Sequence, residues 1–146
     1  MRLPPLGVRA AAGIYAAAGV TLVCNDWWLK GAGILPGWLT GKLSDLAGLI
    51  VAIVTAALVL GHRRTRTSLA ACISIASVFA LVKLSPSAAQ LFLAALSSAG
   101  LKWRLVPDPT DLVALGVVPF AWTTARTLAR RMRRRARLPS TGTPRR

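Results

Sequence analysis

Residues 40–60 read TGKLSDLAGLIVAIVTAALVL, and two ionisable residues stand at the start of this long apolar run. Lys42 and Asp45 are three residues apart, so a helix places both on one face near its N-terminal end. The apolar part, residues 43–60, is close to the ~20 residues that a helix needs to cross about 30 Å of hydrocarbon. The stretch therefore predicts a transmembrane helix with a charged pair at one membrane interface.

Three further apolar segments have a similar length. They lie at residues 10–23, extended by residues 25–28, at residues 68–84 and at residues 111–129. The chain has 146 residues, of which 54% are hydrophobic, and its mean hydropathy is +0.55. A soluble domain is less apolar, at roughly half when glycine is included. We therefore predict an all-α, polytopic membrane protein with four transmembrane helices.

These four spans leave little room for a separate soluble domain. We predict one transmembrane domain, residues 1–129, followed by an arginine-rich tail, residues 130–146, whose composition is typical of disorder. Residues 87–99 are apolar but too few to cross a bilayer. They predict an interfacial or re-entrant helix before the last span.

The basic residues predict the orientation of the chain. The net charge is +15, from 19 Lys and Arg against four Asp. Fourteen arginines fall before the first span, between the second and third, and at or after the end of the fourth, where Arg126 lies in the last turn of the span; this places them on one side of a membrane. The remaining five basic residues and all four aspartates fall on the other side. Since loops rich in Lys and Arg stay in the cytoplasm, we expect a multi-pass protein of the cell membrane with both termini cytoplasmic.

A second acidic stretch, Asp108-Pro109-Thr110-Asp111, opens the last apolar segment. Asp108 before a proline is typical of a helix N-cap, and Asp111 then falls at the third helical position. Together with the charges near the other outer span ends, these residues form a candidate polar pocket that opens to the exterior. Its predicted members are Asp26, Lys30, Lys42, Asp45, Lys83, Arg104, Asp108 and Asp111.

Two interpretations of this pocket remain open. Charged residues at the edge of the hydrocarbon are costly and often functional, so the pocket can bind an ion or a cell-envelope component. Alternatively, the charges cap helices and form salt bridges between helices; Asp26 and Lys30, for example, are spaced for a pair within one helix. A membrane hydrolase or transferase with Asp45 or Asp111 as base is a third hypothesis, although no catalytic triad or phosphate loop is present. We expect no metal and no cofactor, since Cys24 and Cys72 have no nearby partner and are predicted to be buried apolar residues.

The basic residues of the cytoplasmic side form a second candidate surface. Its predicted members are Arg63, Arg64, Arg66, Arg130, Arg131, Arg133, Arg134 and Arg135. Arginines beside a membrane attract anionic headgroups, so membrane lipids are the expected partners. The alternative function is a membrane scaffold or anchor whose arginine-rich tail recruits anionic lipid, an acidic partner or RNA, although nucleic acid is not the partner we expect. A homo-oligomer is compatible with the sequence.

The first span is rich in small residues, and its outer end in tryptophan. Gly13 and Ala17, four residues apart, are predicted to let a neighbouring helix approach closely. Tryptophans of the outer segments are predicted to lie at headgroup level. They are Trp27, Trp28, Trp38 and Trp103.

Three segments resemble the VanZ-like membrane proteins: residues 90–92 (QLF), Arg104, and residues 108–116 (DPTDLVALG). In that family, a Gln-containing segment precedes an Arg and then an Asp that opens the final span. Residues 42–45 (KLSD) stand where that family carries a Lys followed by a His, so Asp45 replaces the histidine; no asparagine follows Asp111. The GKLSD and DPTDL segments are also similar to segments of small bacterial membrane proteins. The resemblance implies a four-span fold and a role in the cell envelope or in glycopeptide tolerance, and it implies no established reaction.

Overall fold

The computed structural model describes residues 7–60, 65–101 and 105–136. The helices are α1 (Val8–Cys24), a π-helical segment (Asn25–Leu29), α2 (Lys30–Ala32), α3 (Gly37–Leu60), α4 (Thr65–Leu84), α5 (Pro86–Ser98), a 3-10 segment (Pro109–Val117) and α6 (Val118–Ala136). The described residues contain no strand. The predicted all-α class is confirmed.

Four helical stretches are long and apolar enough to cross a membrane. They are Val8–Ala32, Gly37–Leu60, Arg66–Leu84 and Pro109–Arg134. Each contains one of the segments that the sequence predicts to span. The protein therefore has the helices of a multi-pass membrane protein.

Helix α3 is the centre of the bundle and packs against α1, α4 and both parts of the last span. The core is built on Ile53 and Val54 of α3, which are almost fully buried. Facing them are small residues, including Ala121 and Ala125 of α6. Helices in lipid gain no hydrophobic drive from one another, so small side chains stabilise the bundle by letting backbones pack closely.

Helix α1 contacts α3 and α6 with a different face from the predicted one. Gly13 and Ala17 are exposed, and a side chain added at Gly13 would meet no atom within 4 Å. The buried positions are Ala11 and Ala18, seven residues apart. The predicted close approach at Gly13 and Ala17 is therefore wrong, because the helix is rotated to present its other small residues.

The last span changes helix type at Val118. The Val118 N–H donates to the carbonyl of Leu115, three residues back, and Pro119 has no N–H for the α-helical bond to that same carbonyl. The α-helix then continues to Ala136. Residues 130–136, which were predicted to be disordered, therefore belong to this helix, and the rest of the tail lies outside the described residues.

The exposure of the tryptophans and cysteines agrees with some of the sequence predictions and not with others. Trp27, Trp28 and Trp38 are exposed, as a position at headgroup level requires; Trp103 lies outside the described residues. Cys72 is buried, whereas Cys24 is exposed on the outside of the bundle, so its predicted burial is wrong. Helix α5 has 13 residues and is capped by Ser85, whose hydroxyl accepts from the Ala88 N–H.

Candidate functional site

The Lys83 ammonium joins three of the four spans. Its Nζ donates to Oδ2 of Asp45 at 2.8 Å and to Oδ2 of Asp111 at 2.6 Å. Lys83 lies in the last turn of α4 and Asp111 in the first turn of the 3-10 segment, whereas Asp45 lies beyond the first turn of α3, which begins at Gly37. Helix dipoles favour a cation in the last turn and an anion in the first turn, which here applies to Lys83 and Asp111. One ammonium group therefore ties together three helices that are far apart in sequence.

Lys42 extends this contact to the opposite side of Asp111. Its Nζ donates to Oδ1 of Asp111 at 3.0 Å and to the Thr110 hydroxyl at 2.9 Å. Each oxygen of Asp111 thus accepts from a different lysine. We call the four residues Lys42, Asp45, Lys83 and Asp111 the Asp/Lys network; its two positive and two negative charges cancel.

The network is largely removed from solvent. Lys83 and Asp111 are each 8% exposed, whereas the side chains of Lys42 and Asp45 are 24% and 18% exposed. Buried charges are stable only when paired, so the ion pairs satisfy the central two residues. Solvent therefore reaches the network mainly at Lys42 and Asp45.

Asp26 and Lys30, also predicted for the pocket, form a separate contact at the end of the first span. Lys30 Nζ donates to Asp26 Oδ1 at 2.6 Å, and the Ser44 hydroxyl donates to the same oxygen at 2.5 Å. Both charged side chains are partly exposed. This pair therefore joins the first span to α3 beside the Asp/Lys network but does not contact it.

Asn25, in the π-helical segment, makes a buried polar contact. It is fully buried, and its Nδ2 donates to the Thr40 carbonyl and to the Ser44 hydroxyl, both at 2.6 Å. Single π-helical turns inside α-helices are rare and occur frequently at functional sites. Asn25 therefore anchors the end of the first span to the start of α3.

Asp108 and Arg104 stand apart from the network. Asp108 Oδ1 accepts from the Thr110 N–H at 2.9 Å, which is the predicted N-cap. Arg104 lies outside the described residues. Of the eight predicted pocket residues, the structure brings four together in the Asp/Lys network.

The sequence interpretation missed four polar residues: Asn25, Thr40, Ser44 and Thr110. It was guided by charge, and these side chains carry none. Thr40 and Ser44 are four residues apart, which places them on one face of α3 and is a signal that could have found them. Asn25 was visible as an amide at the end of an apolar run.

Two cavities in the described part of the chain lie away from the network. One is an open apolar groove of about 540 Å³ between α4 and the last span. The other, of about 80 Å³, lies at the end of the bundle that carries the arginines. At the Asp/Lys network the carboxylates instead contact lysines directly, so a ligand there must displace an ion pair.

Most of the basic residues of the second candidate surface are exposed: Arg66, Arg130, Arg131 and Arg134. Arg133 is half-buried, and both Arg130 and Arg133 line the smaller cavity. Arg63 and Arg64, and the side chain of Arg135, lie outside the described residues.

Comparison with known proteins gives no relative. The chain matches no family model, no curated protein and no solved structure. The candidate site is therefore interpreted from its own geometry.

Proposed function

We propose that this small membrane protein binds a cation, or the cationic group of a cell-envelope component, between the carboxylates of Asp45 and Asp111. The supporting observation is that a single ammonium, that of Lys83, contacts both carboxylates within 2.8 Å. Carboxylate oxygens are the preferred protein ligands of hard cations, and they also pair with ammonium groups. The position of the Lys83 Nζ is thus one that a ligand cation can take.

Binding at this position is an exchange. The Asp/Lys network is neutral, so a ligand cation replaces the Lys83 ammonium instead of adding to it. Lys83 lies at the end of α4, and its flexible four-carbon stem allows the ammonium to move toward the headgroups. The ligand then leaves when the ammonium returns.

Two considerations favour binding over catalysis. Both oxygens of Asp111 accept from lysines, and Asp45 accepts from Lys83, so each candidate base is already paired. The positive-inside pattern turns this end of the bundle to the exterior, and the VanZ-like resemblance of residues 42–45 and 108–116 implies a role in the envelope. An outward binding site for an envelope component agrees with both.

Removing the competing ammonium tests the exchange. The full-length protein is purified in detergent, and its melting temperature is measured with Na⁺, K⁺, Ca²⁺, Mg²⁺ or ethanolamine. A Lys83→Met variant leaves two carboxylates without an ammonium between them, so at least one of these cations should bind it roughly tenfold more tightly than wild type or better. Tighter binding raises the melting temperature at lower cation concentration.

Controls separate this result from general charge effects. Adding Asp45→Asn to the Lys83→Met variant should abolish the cation dependence. Asp108→Asn removes the same charge at the same end of the bundle but keeps a capping side chain, so it should not change cation binding. If the Lys83→Met protein ignores every cation, or if Asp108→Asn changes binding as much as Asp45→Asn, the proposal fails. Should Lys83→Met not fold, Lys83→Gln is measured in its place with the same criteria.

The outward orientation has its own test. Single cysteines replace Arg66 and Asp108 in a Cys24→Ser, Cys72→Ser background, and intact cells are treated with a membrane-impermeant thiol reagent. We expect labelling at position 108 and protection at position 66. Labelling of both positions from outside would refute the topology.

A further inference from the structure

A cavity of about 80 Å³ lies at the end of the bundle opposite the Asp/Lys network, between α3, α4 and α6. Arg126, Arg130 and Arg133 line it. They follow one another at four and three residues, so α6 presents all three on one face. Ser68, in the first turns of α4, faces them across the cavity. Three arginines and one serine therefore line the cavity.

The chain offers no acidic side chain to pair with these arginines. It contains four aspartates and no glutamate. Asp26 lies at the far end of the first span, Asp45 in the N-terminal half of α3, and Asp108 and Asp111 at the start of the last span. All four are thus at the other end of the bundle, and the counter-charge for the cavity must come from outside the chain.

Two polar atoms beside the cavity are buried without a partner. The hydroxyl of Ser68, a residue that is 4% exposed, makes no hydrogen bond with the described residues, and the same holds for Nε of Arg133. A buried donor without an acceptor is costly, so such atoms indicate a missing acceptor. A group with several oxygen atoms in the cavity would satisfy both donors.

Small side chains keep the cavity open. Ala57 of α3 and Ala125 and Ala129 of α6 form its apolar wall. A cavity that holds a single water molecule needs only roughly 10–15 Å³. This cavity, at about 80 Å³, therefore accommodates a group of several heavy atoms. On the cavity rim, the Arg126 guanidinium lies 5.7 Å from the centre of the Trp122 ring, a cation–π contact that holds it in place.

We infer that this cavity binds a phosphate group. Guanidinium groups match phosphate oxygens in pairs, and a hydroxyl group donates to a further oxygen. The three arginines follow the apolar part of α6, where a membrane presents its phosphates. A lipid headgroup and a free phosphate supply the same chemistry, and the experiment distinguishes them.

The test uses the full-length protein, delipidated in a maltoside detergent that contains no phosphate. Its melting temperature is followed by tryptophan fluorescence in two arms. The first arm adds inorganic phosphate; the second adds phosphatidylglycerol to the micelles, with a phosphate-free galactolipid as the control lipid. Stabilisation in the second arm alone identifies a lipid headgroup, and stabilisation in the first identifies a site open to free phosphate.

Matched variants show whether the cavity is responsible. Arg130→Gln with Arg133→Gln should weaken phosphate binding roughly tenfold or more, because two charge-assisted contacts are lost. Arg131→Gln with Arg134→Gln removes the same charge from positions on the same helix that do not line the cavity, and should leave affinity within about twofold. Ser68→Ala keeps every charge and should weaken binding by roughly threefold or more.

Two results overturn the inference. One is a protein that neither phosphate nor phosphatidylglycerol stabilises beyond the galactolipid control. The other is an equal loss of binding in the two arginine pairs, which would assign the effect to the general charge of the helix. Circular dichroism of each variant checks that the helices are intact.

Discussion

Replacement of Asp111 by asparagine is the most direct test of the Asp/Lys network. Asp111 is the only residue of the network that contacts both lysines, at 3.0 Å from Lys42 and 2.6 Å from Lys83. Asparagine has nearly the same shape but no charge, and it turns one acceptor into a donor. The variant therefore leaves two ammonium groups around one carboxylate, that of Asp45.

The expected cost follows from burial and geometry. Removing one partner of a buried ion pair costs about 3–5 kcal/mol. The side chains of Lys83 and Asp111 are 9% and 11% exposed, which supports a value near that range. Lys42 is 24% exposed and keeps its bond to Thr110, and asparagine still accepts one hydrogen bond, so both effects reduce the loss. We expect Asp111→Asn to lower the free energy of unfolding by about 2–4 kcal/mol.

The assay is reversible unfolding in mixed micelles, with the fraction of SDS raised stepwise and helix content followed by circular dichroism. Asp108→Asn is the matched control, because Asp108 lies three residues away, carries the same charge and makes only the N-cap contact. Asparagine caps helices as well as aspartate does, so this variant should stay within about 0.5 kcal/mol of wild type. A double-mutant cycle of Asp111→Asn with Lys42→Met then measures the coupling of that pair, which should exceed about 0.5 kcal/mol.

The result that refutes this account is equality of the two aspartate variants. If Asp111→Asn unfolds at the same SDS fraction as Asp108→Asn, the two lysine contacts contribute nothing to stability. A coupling energy of zero between Lys42 and Asp111 would show that this contact alone does not contribute to stability.

The remaining predictions concern the other contacts of the bundle, and the same SDS titration measures each. Asn25→Ala should lower the free energy of unfolding by about 1–3 kcal/mol, since it removes one buried and one part-buried hydrogen bond. A loss below about 0.5 kcal/mol would contradict the anchoring role of Asn25. Lys30→Ala should lower the free energy of unfolding by no more than about 0.5 kcal/mol, because its ion pair with Asp26 is partly exposed and lies within one helix. A larger loss would show that this ion pair is stronger than its exposure predicts. Ala125→Leu should lower the free energy of unfolding by about 1–3 kcal/mol, because it overpacks a fully buried position between α3 and α6. Ala17→Leu, on the exposed face of α1, should leave stability unchanged. Equal effects of the two variants would contradict the assignment of Ala125 to a packed face and of Ala17 to an exposed one.

The spans were predictable from the sequence because they depend on local composition. A bilayer requires about 20 apolar residues per crossing, and each of the four predicted segments lies inside a helix long and apolar enough to span. The N-cap at Asp108 was predictable for the same reason, since capping involves residues only two or three positions apart. The continuation of α6 through residues 130–136 was not predicted, because a charge-rich composition typical of disorder also permits a helix at the end of a span.

The partners of the charged residues were decided by the tertiary structure. The sequence placed Lys42 and Asp45 together on α3, yet they bond to different residues, Asp111 and Lys83, which are 69 and 38 positions away. Which charges meet depends on how each helix is rotated about its axis. Small residues occur on several faces of α1, so the pattern did not distinguish Gly13 and Ala17 from the true contact face at Ala11 and Ala18.

The two ends of the bundle likewise show which features follow from the sequence and which depend on helix packing. The sequence by itself determined that the acids gather at one end and most of the arginines at the other, since alternating passage through a membrane sorts residues by their position in the chain. Only the packing of α4 against α3 and α6 placed the Ser68 hydroxyl beside Arg133, and only the packing of three span ends placed one ammonium between two carboxylates. The physical reason is that a crossing is set by the hydrophobicity of one segment, whereas a contact between segments requires that all the helices be positioned together.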